Sequence, residues 1–259
     1  MEDSYTIPHT KQFTLRSQTK ENYQVFISVP TSEPPEDGYP VLYVLDGNAF
    51  FGTVVEAVNV QSRKPDKTGV CPIVVVGIGY QTDQPFSDQR FYDYTLTEHN
   101  QFMANRPDGS PWPKQGGARL FLEFIEQELK PTIQERCFIN LKRQTLFGHS
   151  LGGLFTLYAL LSMSSTFSYF AAGSPSIHWN QTLLADYQQR FQGRGERLLI
   201  TVGEREREHP SGMVDHAVAL AERLQDKIGI KSFFKQFAGE GHASVVLPLV
   251  NDMLRLASS

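Results

Sequence analysis

The sequence predicts an α/β domain: a mainly parallel central sheet flanked by helices, with an antiparallel hairpin at its start. Three observations predict it. Short apolar runs recur along the chain without the polar alternation of a half-exposed strand, as strands buried on both faces require. Segments with apolar residues at helical spacing stand between many of these runs. Near the amino terminus, two alternating runs flank a short turn. The 259 residues are read as a single domain, because no repeat or low-complexity stretch divides them.

The elements follow in order. Residues 11–18 and 22–30 alternate polar and apolar around Thr19, Lys20 and Glu21, which predicts the hairpin. A proline-rich, acidic loop occupies 31–40. Buried strands are expected at 41–45, 73–76, 145–147, 169–172 and 198–202, and a last strand at 231–237. Residues 117–130 place Leu120, Phe121, Phe124, Ile125 and Leu129 on one helical face. Residues 151–163 are apolar almost all round and predict a buried helix. Helices are also expected over 212–228, through Val214, Val218, Leu220, Ala221, Leu224 and Ile228, and over 243–256. The stretch 81–116 is long, polar and rich in turn residues, the mark of a lid or binding loop.

Composition narrows the function. Apolar residues make up 40% and charged residues 20%, so the chain can bury a core and is not a disordered polymer. A net charge of −4 lacks the basic surplus of a general nucleic-acid or acidic-membrane binder. No run reaches the roughly 20 apolar residues of a membrane span, and the acidic, polar start lacks the pattern of an export signal. The two cysteines, Cys71 and Cys137, have no metal-like spacing and read as buried thiols in a reducing cytoplasm.

Gly148-His149-Ser150-Leu151-Gly152 fits G-x-S-x-G. It directly follows the strand at 145–147 and precedes the buried helix, as a nucleophile elbow requires. Gly148 and Gly152 are expected to relieve clashes in this sharp turn. The helix then begins at Ser150, with its amides facing developing negative charge. A serine needs a base. In the chain order Ser, acid, His, the base falls after the last strand, where His242 sits between Gly241 and Ala243. His9, His99, His178, His209 and His216 are assigned surface or structural roles. The acid is sought after the strand at 198–202, where Glu204, Glu206 and Glu208 compete. Glu206 is favoured by its offset from Gly203; a dyad without a bound acid stays open. Oxyanion donors are expected at the amides of Leu151 and Asn48, the latter in the turn Asp46-Gly47-Asn48. Asp46 itself reads as a cap for that turn or for a helix near Phe50.

These residues resemble the esterase branch of the α/β-hydrolases that holds esterase D and the siderophore (enterobactin-type) esterases. The resemblance runs from about Tyr23 to the carboxyl end. Its motifs are the stretch from Pro40 to Asn48, Arg90-Phe91-Tyr92-Asp93-Tyr94-Thr95, Gly116-Gly117-Ala118 leading to Phe121-Leu122, the stretch from Leu146 to Phe155, and Ser174-Pro175-Ser176. It implies a serine carboxylic-ester hydrolase with Ser150 as nucleophile, His242 as base, oxyanion donors at Asn48 and Leu151, and no metal or organic cofactor. Asp46-Gly47, where S-formylglutathione hydrolases carry His-Gly, and glutamates where they carry a catalytic Asp, place the chain nearer the siderophore-esterase type. The expected partner is a small-molecule ester of the siderophore-like or aryl-acyl type, such as a catecholate siderophore lactone. Arg90, Tyr92, Trp112 and His149, with Arg106 and Arg119, are the candidates to meet it. The plainer alternative pairs Arg90 with Asp93 and lets Trp112 plug the surface. Acyl transfer by the same serine and a thioesterase of the S-formylglutathione hydrolase kind are the other readings.

Overall fold

The computed structural model describes residues 5–97, 106, 109–162, 167–193, 195–225 and 230–259. Eight strands form one sheet in the order β1-β2-β4-β3-β5-β6-β7-β8. They are β1 (Thr10–Arg16), β2 (Asn22–Ser28), β3 (Tyr39–Leu45), β4 (Val74–Tyr80), β5 (Ile139–His149), β6 (Tyr169–Gly173), β7 (Glu196–Gly203) and β8 (Ile230–Phe237). The first two pair antiparallel, β2 joins β4 antiparallel, and every other pair is parallel. The expected hairpin and parallel core are both present.

Helices cover both faces. They are α1 (Gly47–Gln61), α2 (Pro65–Thr68), α3 (Gln89–Tyr94), α4 (Ala118–Phe124), α5 (Lys130–Arg136), α6 (Leu151–Ser162), α7 (Gln181–Arg190), α8 (Met213–Gln225) and α9 (Val246–Ser258). β3 shows why its sequence is apolar throughout. Val41, Tyr43 and Leu45 enter the core under α4 to α8, while Leu42 and Val44 enter the opposite core with Phe51 and Val54 of α1 and Leu249 and Met253 of α9.

Three expectations change in extent. The helix expected over 117–130 continues to Arg136, because a π-helical turn at Ile125–Leu129 lies between α4 and α5. That wider turn carries the chain into Pro131, whose missing N–H would otherwise end the helix. β5 is longer than 145–147; its first half is largely polar and only partly buried and so lacks the apolar signal. The stretch 81–116 contains the short helix α3, and residues 98–105, 107 and 108 lie outside the described residues, as do His99, Met163 and Ile228. Cys71 and Cys137 are free but only partly buried, and burial pushes the Cys137 thiol up from its ordinary pKa. Among the described residues, no helix is long and apolar enough to cross a membrane.

Candidate active site

The parallel strands deliver the site residues at their carboxyl ends. β5 ends at His149, and Ser150 follows with φ 59°, a left-handed conformation costly for a non-glycine residue. Its amide donates to the Gly173 carbonyl at the end of β6, and its carbonyl accepts from Ser176 and Leu154, so both neighbours hold the turn. A Cβ on Gly148 would lie 2.2 Å from the Gly152 carbonyl oxygen. Gly152 itself has no such need, since a Cβ there meets nothing closer than 3.5 Å. The second tight position is Gly153, where a Cβ would lie 2.8 Å from the Gly173 oxygen. The expectation that Gly152 relieves a clash is therefore corrected to Gly153.

His242 stands on the loop between β8 and α9. Its Nε2 lies 3.0 Å from Ser150 Oγ, and its Nδ1 lies 2.7 Å from Glu206 Oε1. Glu206 sits in a single 3₁₀ turn, Glu204–Glu208, that follows β7. Its other oxygen accepts the Ser174 hydroxyl at 2.8 Å and the Gly203 amide at 2.9 Å. Burial alone would raise this carboxyl. The hydrogen bonds from His242, Ser174 and Gly203 outweigh it and hold the pKa below the ordinary glutamate value. Of the three competing glutamates, Glu204 accepts the Gly239 amide at 2.7 Å and Glu208 is exposed. Only Glu206 faces the imidazole.

Asn48 extends the β4 ladder. Its side chain donates to the carbonyls of Tyr80 and Thr82, each at 3.0 Å, and accepts the Tyr80 amide at 2.8 Å. Neither the Asn48 amide nor the Leu151 amide donates to another described residue. Each stands at the amino-terminal end of a helix, α1 and α6, where free amides are expected.

Two cavities flank the Ser150–His242 pair. One of about 210 Å³ is lined by Phe50, Phe86, Arg90, His149, Ala243 and Val246. The other, of about 360 Å³, is lined by Ser176, His178, Trp179, Arg205, His209 and Met213. A larger groove of about 540 Å³ between α7 and α8 includes none of the three residues Ser150, Glu206 and His242.

The sequence profile of the family described as "Putative esterase" matches residues 17–246, most of the chain. The chain belongs to this family. Ferri-bacillibactin esterase BesA of Bacillus subtilis (strain 168) is 46% identical over 264 residues, covering 98% of this chain and 91% of BesA. Apo-salmochelin esterase of Escherichia coli O6:H1 is 32% identical over 245 residues, covering 91% and 73% respectively. The crystal structure of the BES protein from Bacillus cereus aligns with a TM-score of 0.92 at 40% identity, over 100% of this chain and 99% of that one. The protein is accordingly an α/β-hydrolase and a carboxylic-ester hydrolase.

The remaining candidates of this esterase divide by position. Arg90 and His149 line the smaller cavity. The His149 ring lies 4.7 Å from the His242 ring and 5.9 Å from Phe50. Burial, reinforced by His242, pushes its pKa down to about 3, which keeps it neutral. Arg90 does not pair with Asp93. Its Nε and Nη2 each donate to Asp46 at 2.9 Å, while Asp93 accepts the Tyr23 hydroxyl. The Asp46 carboxylate therefore holds Arg90 and caps no helix.

Tyr92 is not among the residues lining either cavity. Positions 90 and 94 of α3 share a face toward Asp46, and position 92 lies on the far side. There the Lys114 ammonium sits 4.3 Å from the Tyr92 ring centre. Trp112 is one layer removed, packed 4.9 Å from Trp179, which is itself a wall of the larger cavity. Arg106 pairs with Asp88, and Arg119 pairs with Glu123 at the surface. His178 and His209, assigned structural or surface roles from sequence, line the larger cavity. Sequence reasoning also missed Ser174 and Ser176 as partners of Glu206 and Ser150; their place directly after a buried strand was the available signal.

Proposed function

We propose that this esterase hydrolyses siderophore-type esters, an aryl-acyl or catecholate lactone, through a Ser150–His242–Glu206 acyl-enzyme mechanism. The observation that carries it is the unbroken chain from Ser150 Oγ to His242 Nε2 to Glu206 Oε1, at 3.0 and 2.7 Å. Glu206, ionised, accepts Nδ1–H and leaves Nε2 free to accept the serine proton. Ser150 attacks the ester carbonyl as His242 takes that proton. The Leu151 and Asn48 amides hold the tetrahedral oxyanion. His242 then protonates the leaving alcohol, and water repeats the sequence on the acyl-enzyme. The substrate class is supported by relatives named for bacillibactin and salmochelin, and by cavities that set the rings of Phe50, Phe86 and Trp179 and the cation of Arg205 around the serine and histidine.

Ser150→Ala is expected to lower kcat by about 10⁶-fold, the scale on which loss of a triad serine acts, without unfolding the protein. Steady-state hydrolysis of a ferric tris-catecholate trilactone and of short p-nitrophenyl esters measures both parts. Wild-type turnover in Ser150→Ala ends the nucleophile assignment. Equal kcat/KM for the trilactone and the short esters ends the substrate assignment.

A further inference from the structure

We propose that the buried Arg90–Asp46 ion pair is a positioning device that sets the oxyanion turn, so that Arg90 acts on turnover through Asn48 rather than by holding substrate. This rests on the ester-hydrolase reading of Ser150. Asp46 joins β3 to α1 with φ 51° and ψ 49°, a left-handed conformation that glycine adopts freely and aspartate does not. Three contacts hold it there. Its amide donates to the Tyr94 hydroxyl at 3.1 Å, its carbonyl accepts the amides of Ala49 and Phe50, and its carboxylate takes Arg90 through two parallel bonds of 2.9 Å. Two residues on stands Asn48, whose side chain is clamped to β4 and whose amide is the proposed donor. The turn is thus fixed from both sides.

The form of the pair argues for placement. The Asp46 side chain is 0% exposed and that of Arg90 is 11% exposed, so desolvation offsets much of their attraction. An apolar pair of similar size would serve stability as well. What the bidentate fork adds is direction, because two parallel bonds fix the carboxylate plane. The guanidinium is itself held between Phe86 at 5.1 Å and Tyr94 at 5.5 Å. Phe86 and Arg90 both line the smaller cavity, so the strap links the wall beside Ser150 to the turn that carries the donor amide.

The test compares Arg90→Gln, the double variant Arg90→Gln/Asp46→Asn, and Arg90→Lys. Asparagine tolerates the left-handed region, so the double variant removes both charges while keeping a residue suited to the turn. Arg90→Gln alone strands a buried carboxylate and is expected to lower Tm. The double variant is expected to recover most of that Tm. Its kcat nevertheless stays about 10- to 100-fold below wild type, with KM within about threefold, since one oxyanion donor is worth about 10²–10³-fold. Phosphonylation by a fluorophosphonate, which needs the same hole, is expected to slow in parallel. Arg90→Lys keeps the charge without the fork and is expected to match the double variant in kcat. It also supplies the answer if the double variant does not fold.

Wild-type kcat in a folded double variant, or in Arg90→Lys, overturns the proposal. So does a rise in KM at unchanged kcat, which makes Arg90 a substrate contact. Ser150→Ala controls the underlying reading: if it still hydrolyses ester and reacts with the probe, that reading fails and the positioning role fails with it. That result is distinct from an unchanged kcat at position 90.

Discussion

Glu206 divides its carboxylate between two tasks. Oε1 faces His242 Nδ1, while Oε2 is fixed by the Ser174 hydroxyl and the Gly203 amide. Both donors hold the group ionised and fix its plane, so the imidazole on the other oxygen has a fixed tautomer and orientation. Glu206→Gln keeps the shape and reverses the logic. Its NH₂ group turned toward Nδ1 would place the imidazole proton on Nε2, where it cannot accept from serine. We expect kcat to fall by about 10³–10⁴-fold, comparable to the loss when a triad acid becomes an amide. Steady-state kinetics with circular dichroism checks this; a loss under tenfold in a folded variant removes Glu206 from the mechanism. The alternation of Glu and Arg left three acids open in the sequence. The 3₁₀ turn separates them, because it points position 206 inward and leaves 204 and 208 outward.

At the scale of elements, α6 tests the elbow. A methyl at Gly152 fits at ordinary contact distance, whereas a methyl at Gly153 would press on β6 at the Gly173 oxygen and on Pro175. Gly152→Ala is expected to hold or raise stability, by up to about 1 kcal/mol from helix propensity. Gly153→Ala is expected to cost about 1–3 kcal/mol through overpacking. Urea titration of the two variants checks the order; equal midpoints would contradict it. The same contrast shows what was legible. G-x-S-x-G fixes the serine, but which glycine is sterically required depends on the approach of β6, which no local pattern records. The buried strands were readable because the sheet is covered on both faces. Helix α1 is legible only as a helix near Phe50 without bounds, although Phe51, Val54, Val55 and Val58 lie at helical spacing, because its valines carry strand propensity. Helix α7 was missed for the opposite reason: it buries only Leu184 and Gln188, too few for a stripe.

Across the whole molecule, β3, β5, β6, β7 and β8 bring residues far apart in sequence to one edge, as open α/β sheets do at the carboxyl ends of their strands. Chain order therefore points to Ser150, to His242 and to the turn after β7, while the choice of Glu206 within that turn and the partners supplied by β6 and α3 require the folded sheet. Folding also buries two titratable groups whose shifts oppose each other. His149 falls to about 3 through burial and the nearby His242, so between its unfolded value near 6.5 and pH 3 the unfolded chain holds the extra proton. Stability from this group rises with pH by about 1.4 kcal/mol per unit in that window. Asp93 rises to about 7 through burial, so from its unfolded value of 3.8 to pH 7 the native state holds the extra proton. Its contribution falls with pH at about the same rate. Half-buried His178, lowered to about 4, adds weakly to the His149 side. From pH 4.5 to 6.5 the wild-type curve is therefore expected to be nearly flat. Asp93→Asn keeps an acceptor for the Tyr23 hydroxyl and unmasks a stability that climbs with pH. His149→Phe keeps a ring against His242 and unmasks one that declines. Denaturant unfolding of the three proteins at pH 4.5, 5.5 and 6.5 measures the slopes. Parallel curves would mean that these two buried groups do not govern the acid limb.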